Sequence, residues 1–594
     1  MDPAYQWNIS EMIPDESILD GELTSIAEEA SAYAEKYQGR LTESSETLLA
    51  AYREKDELYR RLEKIYTYAH MKRDEDNSVA RYQALTDQST MTIAAVSASL
   101  AFFSPELLAA DEETVMAMIE ETDGLDTYAF AIKDAFRMKA HVLSQAEESL
   151  LAQMSEVTGA SGDIFTMLNN ADLTFDSIKG EDGEETPVTH GTYIRLMQSH
   201  DRDVRKAAYD SMYASYGKLI NTLATSYSYN TKTDVIGARL RKYADSREAA
   251  LYGDSIPGEV YDNLISVVSD HLPALHRYTE LRKKLLGVDK LYMYDMYVPL
   301  IELPKREVTF EEGLDIMRKA LVPMGQDYLD KMNEGIDQGW IDVYENKGKT
   351  SGAYSFGCYD SYPYILLNYS STLQDVFTII HEMGHSMHSR YTRMTQPYIY
   401  GGHSIFTAEV ASTVNESLLM HHLLETETDP KMRAYLLNMH LEEFRTTLFR
   451  QTMFAEFEDL THKHVEGGGQ LTADWLCEEY EKLNGKYYGP VVERDETIRL
   501  EWSRIPHFYR AFYVYQYATG YSAATAISGK ILQEGMPAAQ RYIDFLRTGE
   551  SDHPIELLKI AGVDMSRPEP IEDAMKTFEA ILDEFEATVL NDDK

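Results

Sequence analysis

The run His381-Glu382-Met383-Gly384-His385 sets two imidazoles four residues apart with a carboxylate next to the first. An α-helix turns about 100° per residue, so His381 and His385 project from one face one turn apart and can share a metal ion. Glu382 points to the side. It is poorly placed as a third ligand, but it can reach a water at the ion's open position and take its proton, the chemistry of metal-assisted hydrolysis. Such a site needs a third protein ligand. An H-x-x-G-x-x-H extension would require Gly at 388 and His at 391, where the chain has His388 and Tyr391. A carboxylate from a second helix is the other common solution. Glu409 and Glu416 are seven apart on one face, among Phe406, Val410 and Val414, where an unpaired carboxylate is costly. One of them on the metal and the other hydrogen-bonded to a ligand histidine would satisfy both.

These groups need a rigid helix beneath them. Ser371 to Gln374 reads as a capping box, and Val376, Phe377, Ile380, Met383 and Met387 supply an apolar side. Just before it, 340–369 is the main β-like stretch, with short strands expected at 340–344, 352–356 and 364–369. From 16 to 173 the pattern is helical almost throughout. Leu48, Tyr52, Tyr59, Leu62, Tyr66 and Ala69 recur at near-heptad spacing, for example. The rhythm breaks at 173–191, where Asp182-Gly183 suits a tight turn. That break is the expected boundary between an N-terminal helical lobe, 1–175, and a catalytic domain, 176–594. Helices resume at Tyr193, break near 255–258, continue past a capping box at Thr309 to Glu312, and break again at Gly467-Gly468-Gly469. Further on, Tyr513 and Tyr517 are four apart on one expected helix face, and Gly520 allows close backbone approach.

Composition narrows the partners. Lys and Arg total 56 against 99 Asp and Glu, a net charge of −43. Such a surface repels phosphate backbones and anionic lipid, which argues against nucleic acid and membrane partners. With two cysteines, Cys358 and Cys477, no basic leader and no apolar span in the sequence, the expectation is a cytoplasmic protein with free thiols; no obligate protein partner is inferred. The 42 tyrosines are mostly packing residues with a wet hydroxyl.

The sequence from His381 to His388, followed by Ser404-Ile-Phe-Thr-Ala-Glu409-Val-Ala-Ser-Thr, resembles the thimet-oligopeptidase family of zinc peptidases, above all its oligoendopeptidase F branch. Ser551-Asp-His-Pro554 and Ala561-Gly-Val-Asp-Met565 agree, and the likeness is strongest over 340–566. The resemblance implies a mainly α, two-lobed peptidase with a small sheet beside the metal helix and a deep substrate channel. It also implies one Zn²⁺ per chain on His381, His385 and Glu409, the last 24 residues after His385. Glu416 would support a ligand, Glu382 would be the base, and His388 would be structural. Gly352, Ala353 and Tyr354 match the segment that reads a peptide backbone by strand addition; a purely structural sheet is the alternative. His507 with Tyr513 or Tyr517 would stabilise the oxyanion. The implied activity is endoproteolysis of short peptides. A metallocarboxypeptidase of similar build, or a helical peptide-binding scaffold without catalysis, would be the rivals.

Overall fold

In a computed structural model, residues 3–302 and 307–591 are described. The amphipathic spacing near the start of the chain forms helices as expected. Helix α1 spans Leu19–Tyr37, α2 Ser45–Glu75 and α3 Ala80–Ser99, and the three pack on one another. Ser44 caps α2 by accepting from the Thr47 amide, and Leu48, Tyr52, Leu62 and Ala69 are buried. Tyr59 and Tyr66, from the same periodic set, stay half-exposed. By length and composition, Ala80–Ala109 could cross a membrane, a stretch the sequence reading did not pick out. In the fold it is α3 followed by the separate helix Phe103–Ala109, and α3 lies against α1 and α2.

The chain divides into two compact units, each built from three segments. One comprises Met1–Val142, Arg306–His422 and Ile527–Val563; the other comprises Leu143–Lys305, Leu423–Ala526 and Asp564–Lys594. The units do not follow a single boundary near 175, because the chain passes from one to the other five times. In the second unit the expected turn exists: β1 (Ile178–Lys179) pairs antiparallel with β2 (Glu185–Thr186), and Gly183 takes φ 78°. The remainder of that unit is helical, with tyrosines 209, 213, 216, 227, 261 and 278 buried in its core. There a buried carboxylate, Glu501, accepts from Tyr480, Arg450 and Arg504.

The first unit holds the sheet. Strands β3 (Ile341–Asp342), β4 (Tyr354–Phe356) and β5 (Tyr364–Leu366) lie in the order β3-β5-β4, shorter than expected but in the expected places. β3 runs parallel to β5 and β4 antiparallel to it, with Ser355 opposite Ile365. The outer side of β3 is covered by the N-terminal segment, since Val343 N–H donates to the Tyr5 carbonyl and Asn8 N–H to that of Gly339. Among the described residues no strand covers the outer side of β4.

Helix α4 (Leu373–Thr395) follows, then α5 (Ile405–Thr426). The capping box of α4 sits one residue later than expected. Thr372 accepts from the Asp375 amide and the Asp375 carboxylate accepts from the Thr372 amide, because Ser371 occupies a left-handed turn at φ 63°. Val376, Phe377, Ile380, Met383 and Met387 are all buried, as read from the sequence.

Candidate metal centre and the strand beside it

α4 and α5 approach backbone to backbone at Gly384. A Cβ there would lie 2.6 Å from the Ala411 carbonyl oxygen and 2.6 Å from the Ser412 Cα, so only glycine lets the helices come this close. Asn415, fully buried on α5, ties the pair by donating to the Ile380 carbonyl on α4 while accepting from Tyr328. The result is convergence. Nε2 of His381 and Nε2 of His385 each lie 3.6 Å from the same Glu409 oxygen, and the three residues form the cluster able to hold a metal. A tetrahedron with metal–ligand distances of about 2.0–2.2 Å has edges of about 3.3–3.6 Å, so the donor set fits such an ion.

The other faces of these side chains are committed. Nδ1 of His381 faces Glu416 at 3.3 Å, the His385 ring donates to the Ala408 carbonyl, and Ser412 donates to Glu409 at 3.2 Å. Glu416 thus orients a histidine and leaves that ring's Nε2 toward Glu409. The two imidazoles are electrostatically unlike. Burial works against the charged form of His381, but the Glu416 hydrogen bond and the charges of Glu416, Glu382 and Glu409 carry it up to about 9. Burial and the neighbouring His381 bring His385 down to about 4. Burial also raises the Glu382 carboxyl to about 7, against the pull of His381. His388 lies outside this group, buried with its ring 3.7 Å from that of His403, and chiefly burial holds it neutral.

The edge strand touches this centre. The Ser355 N–H is directed at the Glu382 carboxylate, and the Ser355 hydroxyl meets that of Ser386 on α4 at 2.8 Å. Tyr354 donates to Asp74 of α2 at 3.0 Å, and Gly352 turns into the strand at φ 86°. Sequence reading missed Ser355, Asn415 and Asp74. Of these, Asn415 alone left a trace, an amide on an otherwise apolar helix face.

His507, Tyr513 and Tyr517 belong to the second unit. They do gather there, with Tyr513 parallel to His507 at 6.2 Å, Tyr517 edge-on to His507 at 5.9 Å, and Tyr513 5.5 Å from Tyr517. The shared helix face is corrected: the helix is Tyr515–Glu534, and Tyr513 precedes it because Phe512 breaks the run at φ 52°. Gly520 is not needed for close approach, as a Cβ there meets nothing within 4 Å. The Arg510 guanidinium lies over the Tyr513 ring at 4.0 Å, and burial and then Arg510 hold His507 below its usual range.

A family model described as Peptidase family M3 matches residues 195–577, and one described as Oligopeptidase F matches 106–175. The chain is 48% identical over 584 residues to oligopeptidase PepF of Bacillus subtilis, covering 98% of this chain and 87% of that protein. It is 42% identical over 589 residues to group B oligopeptidase PepB of Streptococcus agalactiae, covering 99% and 98%. The solved structure of oligoendopeptidase-F from Enterococcus faecium matches with a TM-score of 0.76 at 40% identity, over 97% of this chain and 99% of that one. A histidine pair that meets a glutamate from the next helix, in a mostly helical chain matched nearly end to end by such relatives, is the mark of a metalloendopeptidase, and the chain belongs to peptidase family M3.

Proposed function

We propose that the protein is a zinc-dependent endopeptidase of short peptides, with the ion held by His381, His385 and Glu409. The observation that supports this most is the meeting of two Nε2 atoms on one Glu409 oxygen. The ion's contribution, when bound, is to polarise the peptide carbonyl and acidify water. The protein's own groups do the remainder. Glu382, part-desolvated and touched by the Ser355 N–H, takes the proton of the attacking water and returns it to the departing amine. Glu416 keeps His381 in the tautomer whose Nε2 is free. The segment from Gly352 and Ala353 into the open side of β4 at Tyr354 pairs with the peptide backbone, which makes recognition broad in sequence. To His507, Tyr513 and Tyr517 we assign donation to the carbonyl oxygen, on the strength of the family resemblance and their mutual packing.

Two buried free thiols, Cys358 and Cys477, support a reducing, cytoplasmic setting. The test is metal analysis of the purified protein together with digestion of a peptide of about ten residues, beside a folded protein. Stoichiometric zinc, loss of activity on chelation, internal cleavage of the peptide and an intact folded protein are expected. Release of single C-terminal residues would instead indicate a carboxypeptidase.

A further inference from the structure

One face of β4 carries an aromatic wall that the proposed reaction does not use. Strand residues alternate between faces, so Tyr354 and Phe356 share one face while Ser355 turns to the other, toward Ser386 of α4. On the Phe356 face runs α2. The His70 ring lies 5.5 Å from that of Phe356, and Tyr66, one turn earlier, lies 5.7 Å from His70 and nearly parallel to it. All three rings are half-exposed.

His70 has no chemistry to spare. The Arg73 guanidinium, which can only donate, meets Nδ1 at 3.0 Å, and Nε2 faces the Asp74 carboxylate at 3.3 Å. The ring is therefore neutral, with its proton on Nε2 and both nitrogens engaged, and burial holds its pKa below the usual value. What it offers a ligand is a flat apolar surface. Asp74 also accepts from Tyr354, so one buried carboxylate fixes both the wall and the strand.

We propose that Tyr66, His70 and Phe356 form a subsite for one large apolar side chain of the peptide. The occupant follows from the strand. A peptide paired with the open side of β4 places the residue opposite Phe356 on Phe356's face, with Cβ atoms about 5 Å apart, and a slip of one residue turns it away. The proposal rests on the reading of β4 as the backbone-binding strand. Its prediction is a strong side-chain preference at a single peptide position beside broad tolerance elsewhere.

The experiment uses the zinc-loaded full-length protein and a set of octapeptides differing at one position at a time, with Ala, Glu, Leu or Phe. The expected result is one position where Phe or Leu exceeds Ala by about tenfold or more in kcat/KM. Tyr66→Ala should bring that ratio to within about threefold. His70→Gln, which keeps a donor for Asp74, should reduce it as well and decides the matter if Tyr66→Ala does not fold. Calorimetry on the Glu382→Gln protein gives a readout free of turnover: the same Phe peptide should bind more tightly than its Ala counterpart, and Tyr66→Ala should abolish the difference. Flat preference at every position, or a preference that both variants retain, would overturn the subsite while leaving the peptidase intact. Absence of any peptide hydrolysis by the wild type would instead overturn the function on which it rests.

Discussion

Two glutamates in this molecule sit beside a histidine on a helix with their carboxyls pushed far above the ordinary 4.5. Glu382, in the first unit, is 8% exposed and raised to about 7; Glu458, in the second, is fully buried and raised to about 8, in both cases chiefly by burial. What differs is what surrounds them. Glu382 adjoins two imidazoles whose Nε2 atoms remain free to meet Glu409, and those rings are each about a quarter exposed. Glu458 has both oxygens sealed from solvent with only the Phe512 N–H directed at its carboxyl, and its neighbour His462 has spent both nitrogens, Nδ1 on the Glu458 carbonyl and Nε2 on Asp234 at 3.3 Å. Both partners are acceptors, so that imidazole is doubly protonated. A perturbed carboxyl thus reports burial. Catalysis needs, besides, uncommitted ligand atoms and a way in.

The sharpest test of that contrast is the same substitution at both positions. Glu382→Gln should lower kcat/KM on a peptide by about a thousandfold or more, since the amide keeps shape and, on the proposed mechanism, loses the base, whereas Glu458→Gln should stay within about threefold of wild type. Equal losses would erase the distinction. Next in size is the metal. Glu409→Ala should leave the protein largely without zinc after dialysis, while Glu416→Ala, which only frees His381 to turn, should weaken affinity by about 10–100-fold. Metal content by mass spectrometry after graded chelation separates the two, and the reverse order would exchange their roles.

Smaller effects come from the backbone. Gly384→Ala should destabilise the protein by about 1–3 kcal/mol and weaken metal binding, because the new methyl collides with α5. Gly520→Ala, whose methyl meets nothing within 4 Å, should be neutral or stabilising by up to about 1 kcal/mol. Denaturant unfolding of both variants makes the comparison. A last effect is a pH dependence. The Glu458 carboxyl, at about 8 in the fold, binds its proton more tightly there than in the unfolded chain, so its contribution to stability is complete below about 4.5 and is lost as pH rises through about 8. His462, raised by Asp234 and Glu458 against the effect of burial, faces it, as do Asp234, Asp459, Tyr227 and Tyr261. Between pH 5 and pH 8 the wild type should lose at least about 1 kcal/mol relative to Glu458→Gln. Parallel stability curves for the two proteins would show that Glu458 does not titrate in this range.

The candidate metal cluster was legible in part because its information is local. His381 and His385 lie one turn apart on one helix, and two glutamates of the next helix were in view, but choosing Glu409 over Glu416 rested on the family resemblance. The helical class and the three short strands were legible for the same reason. What escaped depends on chain segments far apart or on single backbone torsions. Asp74 supports a strand 280 residues away, and nothing near it announces that. Ser371 and Phe512 each adopt positive φ without being glycine, which moved a helix cap by one residue and took Tyr513 out of its expected helix. The two units, each assembled from three pieces, leave no composition shift at their crossings.

That interleaving bears on how the enzyme is made. The end of α4 is held by residues from a late segment: Thr392 donates to the Leu546 carbonyl, Thr395 and Gln396 to that of Arg547, and the Glu550 amide donates to Tyr400. A ribosome adding about 5–20 residues per second must therefore run on for roughly ten seconds or more after the second histidine has been made before these contacts can form. Through that interval the nascent chain carries the residues of a peptidase without the frame that aligns them. The first unit cannot close on itself as an early domain, because it waits for the segment Ile527–Val563 to be made.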